Sequence, residues 1–179
     1  MLDKAMHIET LDAFDLDALV DLQKRVISSL QEDYFLKHRT IDNWEKMLSC
    51  PDYVIYGIFK GEKLIASATI HFPNGTDDRD ISEFTPVPDT ELAIFQSVMV
   101  DENYRGMGLM KILQDARKNS AIKHKRGKII CKMSVNNVNS WKNAINYGFH
   151  CVRVAADDTG HDKMYFIKKL QISPGFLAK

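Results

Sequence analysis

The stretch that most constrains how this chain can fold is residues 96–113, QSVMVDENYRGMGLMKIL. In it, an apolar strand leads through a short polar turn to two glycines, Gly106 and Gly108, and then to an amphipathic helix. Glycine lets the backbone approach a ligand closely, and the unpaired amides at the start of a helix bind anions. Residues 105–111, which we call the glycine turn, therefore predict a binding site for a phosphate-bearing ligand.

The composition limits the class of protein to which the chain can belong. With 179 residues, 45% of them hydrophobic, it can bury a substantial core, and we predict a single domain over residues 1–179. Its 24 basic and 24 acidic residues balance, which argues against general nucleic-acid binding. Acids are scattered through residues 1–20, and no run reaches the roughly 18 apolar residues of a membrane span. We therefore expect no signal peptide, no membrane partner and a cytoplasmic location.

Neither the cysteines nor the histidines are spaced like metal ligands. Cys50, Cys131 and Cys151 are far apart in the chain, and we expect reduced, mostly buried thiols. The six histidines are scattered, so we predict no metal site.

The order of strand-like and helix-like segments predicts a mixed α/β domain. The strand over 91–100, the helix after the glycines and the strand over 129–135 form a βαβ unit, whose strands should be parallel with a right-handed crossover. The other predicted elements are a strand at 6–11, a helix from an Asp15 cap to about residue 30, a helix capped by Thr40 with Ile41, Trp44, Met47 and Leu48 on one face, a hairpin of strands 53–59 and 64–72, a long loop over 73–90, a helix near 140–147, and strands at 149–154 and 164–168.

The chain resembles the GNAT superfamily of acetyl-CoA-dependent N-acetyltransferases, most strongly over residues 91–150. Residues 104–109, YRGMGL, are similar to the family's pyrophosphate-binding turn between a strand and a helix. Its stricter pattern, Gln/Arg-x-x-Gly-x-Gly/Ala, fits with one mismatch, Met110 or Asn103 depending on the register. A second block, Asn-Val-Asn-Ser at 137–140 followed by Gly-Phe at 148–149, has the spacing common in the family.

The resemblance implies a central twisted sheet of about seven strands flanked by four helices, with acetyl-CoA as co-substrate. The amides of the glycine turn are expected to hold the pyrophosphate, and the backbone of strand 91–100 the pantetheine arm. Asn137 is expected to hydrogen-bond cofactor or acceptor, and Ser140 to cap the helix while meeting the cofactor. The cofactor-binding residues that the resemblance implies are Val98, Met99, Val100, Arg105, Gly106, Met107, Gly108, Leu109, Met110, Lys111, Asn137 and Ser140.

Two residues are predicted to move protons. Glu91 opens the fourth strand, near the place where some family members have a carboxylate base; a solvated acid at a strand end is the alternative. Many members protonate the departing thiolate with a tyrosine seven residues after the asparagine, where this chain has Ala144. Tyr147, one helical turn on, is the candidate substitute, with a packing role as the alternative.

The resemblance predicts an enzyme that transfers acetyl directly from acetyl-CoA to the primary amine of a small molecule or amino-acid-like acceptor, in a monomer or homodimer. A protein N-terminus or lysine is the alternative acceptor. Because Ala144 replaces the acid, a non-catalytic acyl-CoA-binding sensor is a further hypothesis. An excess of acids in the loop favours a cationic acceptor if the loop borders the site, and solvation of an ordinary loop is the alternative. These acids are Asp77, Asp78, Asp80, Glu83, Asp89 and Glu91, against Arg79 alone.

Overall fold

Seven strands and four helices follow one another in the computed structural model, which describes residues 5–74, 89–157 and 159–171. The strands are β1 (Met6–Thr10), β2 (Tyr53–Lys60), β3 (Lys63–His71), β4 (Leu92–Val100), β5 (Lys128–Ser134), β6 (His150–Ala156) and β7 (Asp162–Lys169). The helices are α1 (Leu16–Ser28), α2 (Ile41–Ser49), α3 (Leu109–Lys123) and α4 (Val138–Asn146). The predicted mixed α/β fold with about seven strands and four helices is confirmed. None of the helices within these residues is long and apolar enough to cross a membrane.

The strands form one mixed sheet in the order β1-β2-β3-β4-β5-β7-β6. β4 and β5 run parallel, with Leu92 opposite Lys128 and Ile94 opposite Ile130, so the predicted parallel βαβ unit is confirmed. The pairs β1–β2, β2–β3, β5–β7 and β6–β7 are antiparallel. The β2–β3 hairpin turns through Gly61, whose φ of 59° suits the residue without a Cβ.

Contacts divide the chain into two compact units, which β4 and α3 both traverse. The first comprises the residues up to 71 and residues 96–117, and the second residues 72–95 and those from 118 onward. In the first, α1 and α2 pack on one apolar cluster that contains Leu19, Trp44 and Met99, and the start of α3 packs on another that contains Leu113. Leu92, Ile94, Ile130 and Ile167 form an apolar cluster of the second. The single-domain assignment stays a prediction.

Side-chain caps fix the start of α2 and the short 3-10 turn that precedes α1. The Thr40 hydroxyl accepts from the Asn43 amide at 3.2 Å, as predicted. Asp15 precedes α1 but does not cap it, because its carboxylate instead accepts from the Asp12 amide at 3.0 Å. Asp12 accepts from the Phe14 amide at 2.8 Å, and this reciprocal pair forms a capping box around the short 3-10 turn before α1.

Two smaller predictions differ from the structure, and a third concerns residues that are mostly not described. Ile41 was predicted on the buried face of α2 but is exposed, because it occupies the first position of the helix. Of the thiols, which are all free, Cys131 is buried, Cys50 is half-buried and Cys151 is exposed on β6, so the expectation of mostly buried thiols is wrong. Most of the predicted loop over 73–90 lies outside the described residues.

Gly57 in β2 provides a test of the packing in the first unit. A Cβ at this position would lie 2.5 Å from Leu11 Cδ2 and 2.7 Å from Leu64 Cδ1, and both leucines are buried. Gly57→Ala should therefore destabilise the fold by about 1–3 kcal/mol in urea unfolding, because two core side chains must move. Gly127→Ala is the matched control, since a Cβ there meets nothing within 4 Å. Equal unfolding free energies for the two variants would contradict the packing described.

Candidate active site

A kink in β4 lies just before the residues predicted to meet the pantetheine arm. Ser97 has a φ of 44°, in the left-handed region that residues other than glycine seldom adopt. Met99 is buried in the cluster under α1 and α2, whereas Val98 and Val100 pack partly buried on the α3 side. The side chains of these three residues are thus used in packing, and their backbone groups are the parts suited to bind a ligand.

The glycine turn leads from a short 3-10 turn (Glu102–Tyr104) into the start of α3. Gly106 and Gly108 have φ values of 80° and 77°. The Arg105 amide donates to the Glu102 carbonyl at 3.3 Å, and the next amide with a backbone acceptor is that of Lys111, which donates to the Gly108 carbonyl at 3.0 Å. Within the described residues, the amides from 106 to 110 have no intrachain backbone acceptor, so they form a row of unpaired donors at the positive end of a helix.

The space next to the two glycines of the glycine turn is open. A Cβ on Gly106 or Gly108 would meet no atom within 4 Å, so neighbouring protein atoms do not cover the backbone there. Both glycines are exposed, and Met107 between them is also exposed. Unpaired amides, left-handed glycines and open space suit the anion-binding role predicted for residues 105–111, which stays a prediction.

The carboxylate of Asp101 holds the glycine turn in place. It is 1% exposed and accepts from Arg25 Nε at 2.9 Å and from Lys63 Nζ at 3.2 Å. Its other oxygen accepts from the Asn103 amide at 3.1 Å, which caps the 3-10 turn. Burial alone raises the pKa of Asp101, but the hydrogen bonds from Asn103, Lys63 and Arg25 outweigh it and hold the pKa below its ordinary value of 3.8.

The two cations of the glycine turn have protein partners of their own. Arg105 Nη2 donates to Ser29 Oγ, just after α1, at 2.6 Å. Lys111 Nζ lies 2.7 Å from Asp115 Oδ2, one turn along α3, in an exposed pair. The backbone therefore supplies the donors aimed at an anion, and the side chain of Arg105 ties the turn to α1.

The remaining predicted residues belong to the second unit. Asn137 caps α4, because its Oδ1 accepts from the Ser140 amide at 3.2 Å; the cap is thus Asn137 rather than Ser140. Tyr147 ends α4, and Lys168 Nζ lies 4.1 Å from its ring centroid and donates to its carbonyl. Glu91, just before β4, is 55% exposed, with Oε2 at 3.7 Å from Lys128 Nζ. Of the predicted cofactor-binding residues, Val98–Val100 and Arg105–Lys111 thus lie in the first unit, and Asn137 and Ser140 lie in the second.

A comparison with protein-family models identifies the family of the chain. The model described as "Acetyltransferase (GNAT) family" matches residues 23–149, most of the chain. The chain belongs to the GNAT acetyltransferase family. It is therefore an N-acetyltransferase that uses acetyl-CoA, as the resemblance predicted.

Solved structures agree with this fold. A probable acetyltransferase from Staphylococcus epidermidis ATCC 12228 superposes with a TM-score of 0.75 at 19% identity, over 93% of this chain and 99% of that one. The ribosomal-protein-S18-alanine N-acetyltransferase from Escherichia coli has a TM-score of 0.71 at 13% identity, over 94% and 96%. YncA from Salmonella typhimurium, solved with its cofactor acetyl-CoA, has a TM-score of 0.70 at 15% identity, over 96% and 97%. No curated protein sequence shows significant similarity to the chain.

Three residues next to the predicted site were not predicted from the sequence motifs. Asp101 and Ser97 fall within the stretch singled out from the sequence, but their roles depend on partners elsewhere in the chain. Arg117 was detectable, since it follows Leu109 and Leu113 at helical spacing on a buried face. It is 1% exposed, and its Nη1 donates to the carbonyls of Thr69 at 3.2 Å and Gln96 at 3.4 Å.

Replacement of a cradle glycine tests the anion site. Gly108→Val puts a β-branched side chain into the left-handed region and into the space above the turn. We expect acetyl-CoA affinity, measured by calorimetric titration, to fall by roughly tenfold or more, with the fold retained. Gly160→Val is the matched control, because Gly160 has a φ of 80° and equally open surroundings outside the glycine turn. Unchanged acetyl-CoA affinity in Gly108→Val would remove the anion site from residues 105–111.

The buried carboxylate gives a pH-dependent test. Because the folded pKa of Asp101 is lowered, its ion pairs stabilise the protein at neutral pH. This stabilisation is lost as the pH falls from about 3.8 through the folded pKa. Asp101→Asn should lower the unfolding free energy at pH 7 by about 1.5–3 kcal/mol, and it should flatten the acid limb of the stability curve. Asp115→Asn, which removes an exposed pair on α3, is the control. An acid limb identical to that of the unmodified protein would contradict the role given to Asp101.

Proposed function

We propose that this enzyme acetylates the primary amine of a small, amino-acid-like molecule by direct transfer from acetyl-CoA. The observation that carries the proposal is the continuity of the binding surface in the first unit. The kink at Ser97, the backbone of Val98 to Val100 and the unpaired amides of the glycine turn follow one another along 15 residues of chain, from 97 to 111. In this proposal one stretch of backbone binds both the thioester arm and the pyrophosphate.

The chain's own contribution is to bind and to orient. In this proposal the amides of residues 106–110 bind the pyrophosphate, and the backbone of Val98 and Val100 binds the pantetheine arm. Acetyl-CoA supplies an acyl group activated as a thioester. The Val98 amide, just after the kink, stabilises the negative charge that develops on the carbonyl oxygen. Fixing the thioester beside an amine makes the reaction effectively unimolecular, which is the largest contribution we assign to the protein.

Transfer forms an N–C bond and breaks a C–S bond, so the amine must lose a proton and the thiolate must gain one. We propose Glu91 as the base and Tyr147 as the acid. Glu91 is exposed enough to exchange protons with water, beside Lys128. Ala144, at the position where many family members have the acid, is buried and carries no proton donor. Asn137, whose Oδ1 is occupied as a cap, is proposed to meet cofactor or acceptor through its side-chain NH₂, and Ser140 to meet the cofactor.

The acceptor class is the open part of the proposal. A protein N-terminus or lysine is the alternative acceptor. An acyl-CoA sensor without turnover is the alternative to catalysis, and it is admissible because Ala144 carries no proton donor. The acids from 77 to 83, which favoured a cationic acceptor, lie outside the described residues. The cytoplasmic location, the monomeric or homodimeric state and the lack of a metal stay predictions.

An amine panel separates these functions. Acetyl-CoA binding is measured by calorimetry, and thiol release is then assayed with amino acids, polyamines and peptides that carry a free N-terminus or a lysine. We expect binding, and turnover on small amines above that on peptides. Glu91→Gln and Tyr147→Phe should each lower kcat by about a hundredfold or more, as loss of a general base or acid does. Glu62→Gln, in the exposed β2–β3 turn, is the control.

Each other outcome selects a different function. Binding without turnover on any amine would favour the sensor, and turnover on peptides alone would favour a protein acceptor. Full activity of Glu91→Gln or Tyr147→Phe would remove the role given to that residue. Failure to bind acetyl-CoA would contradict the whole proposal.

A further inference from the structure

Arg39, in the connection between α1 and α2, reaches the kink of β4. Its Nε donates to Ser97 Oγ at 3.0 Å, and its Nη2 donates to Gln96 Oε1 at 2.8 Å. The guanidinium also lies over the ring of Trp44, 5.5 Å from the centroid. The side chain is half-buried, so part of it remains accessible beside the strand that is proposed to hold the thioester.

The charge of Arg39 has no counter-charge. Its hydrogen-bond partners are a hydroxyl and an amide, and within the described residues no carboxylate forms an ion pair with it and its Nη1 donates to no acceptor. Burial lowers the pKa of Arg39, against a smaller opposite effect of Tyr53. Among the residues that the structure describes, the indole Nε1 of Trp44, which is 1% exposed, also has no hydrogen-bond partner. A cation withdrawn from water without an anion is costly, so this position is incomplete in the protein alone.

The guanidinium is held in position from the backbone of the same residue. The Arg39 amide donates to Gln23 Oε1 at 3.1 Å, and Gln23 Nε2 donates to the Arg39 carbonyl at 2.9 Å. Gln23 lies in α1 and is buried. Two reciprocal bonds to a buried side chain fix the point from which the guanidinium extends, which is the preorganisation expected of a binding group.

We propose that Arg39 binds the carboxylate of the acceptor, and that the substrates of this enzyme are therefore amines that also carry a carboxylate, of which α-amino acids are the simplest. The inference rests on the proposed function, because it places the acceptor at the β4 kink. Guanidinium is the group best shaped for a carboxylate, which it can bind through two parallel hydrogen bonds. Ser97, its partner, immediately precedes Val98, so a carboxylate at Arg39 brings the amine of the same short molecule toward the proposed site of transfer.

A purely structural role of Arg39 is the competing explanation. In that case the side chain would tie the α1–α2 connection to β4, and its loss would weaken the fold and affect all acceptors alike. The two explanations differ in one respect, which is whether the effect of the mutation depends on the carboxylate of the acceptor.

Matched acceptor pairs separate the two. Common amino acids are each compared with the amine left by their decarboxylation, using thiol release with acetyl-CoA. We expect the enzyme to prefer the amino acid in its best pair. Arg39→Gln should lower kcat/KM for that amino acid roughly 10- to 100-fold more than for its paired amine, the effect of losing one charge-assisted contact. Arg39→Lys should restore part of the preference through its charge. Lys37→Gln, an exposed cation in the same connection, should leave the preference unchanged.

A binding measurement keeps the inference testable if no amine is turned over. Thermal shifts of the CoA-bound protein are recorded with the same pairs, and the amino acid should raise Tm in the unmodified protein but not in Arg39→Gln. If the proposed function is wrong, the protein binds acetyl-CoA but turns over no amine. If this inference is wrong, the amino acid and its paired amine give the same result in both assays. Equal losses for both members of each pair in Arg39→Gln would also overturn it, in favour of the structural role.

Discussion

The buried carboxylate of Asp101 is the group on which the geometry of the glycine turn depends. It receives Arg25 from α1, Lys63 from the start of β3 and the Asn103 amide from the turn itself. A carboxylate withdrawn from water must have its lone pairs satisfied, so these three elements have to be in place together. The direction in which the chain leaves β4 is thereby set, and with it the orientation of the amides at the start of α3.

Two arginines bind the kink of β4, one through backbone carbonyls and the other through side chains. Arg117, from α3, binds the carbonyls of Gln96 and of Thr69 in β3, which keeps the two strands in register there. Arg39 binds the side chains of Gln96 and Ser97 instead. The left-handed Ser97 is an unfavourable conformation that the surrounding contacts must maintain. The role proposed for the Val98 amide, which is to stabilise developing charge, requires a backbone that is held in this way.

The parts of the fold that local chemistry determines were predictable from the sequence. The β2–β3 hairpin, the Thr40 cap and the glycine turn each depend on residues within a few positions of one another, and all three are as expected. Asp101 and Arg39 were not predictable, because their partners lie 76 and 58 positions away in the chain, at Arg25 and Ser97. The capping role predicted for Asp15 was wrong, because its carboxylate accepts from the Asp12 amide in a reciprocal pair with Asp12 before the helix.

Helix α1 connects the two ends of the binding surface. Its Arg25 holds Asp101, Ser29 just beyond it holds Arg105, and its Gln23 holds the backbone of Arg39. A single rigid element thus contacts the supports of the phosphate site and of the proposed acceptor site. If both proposed sites are occupied, a ligand that shifted or stiffened α1 would change the affinity of the other site, and by thermodynamic linkage the effect would be reciprocal. In kinetic terms, the two substrates would then not bind independently, and α1 would carry the coupling between them.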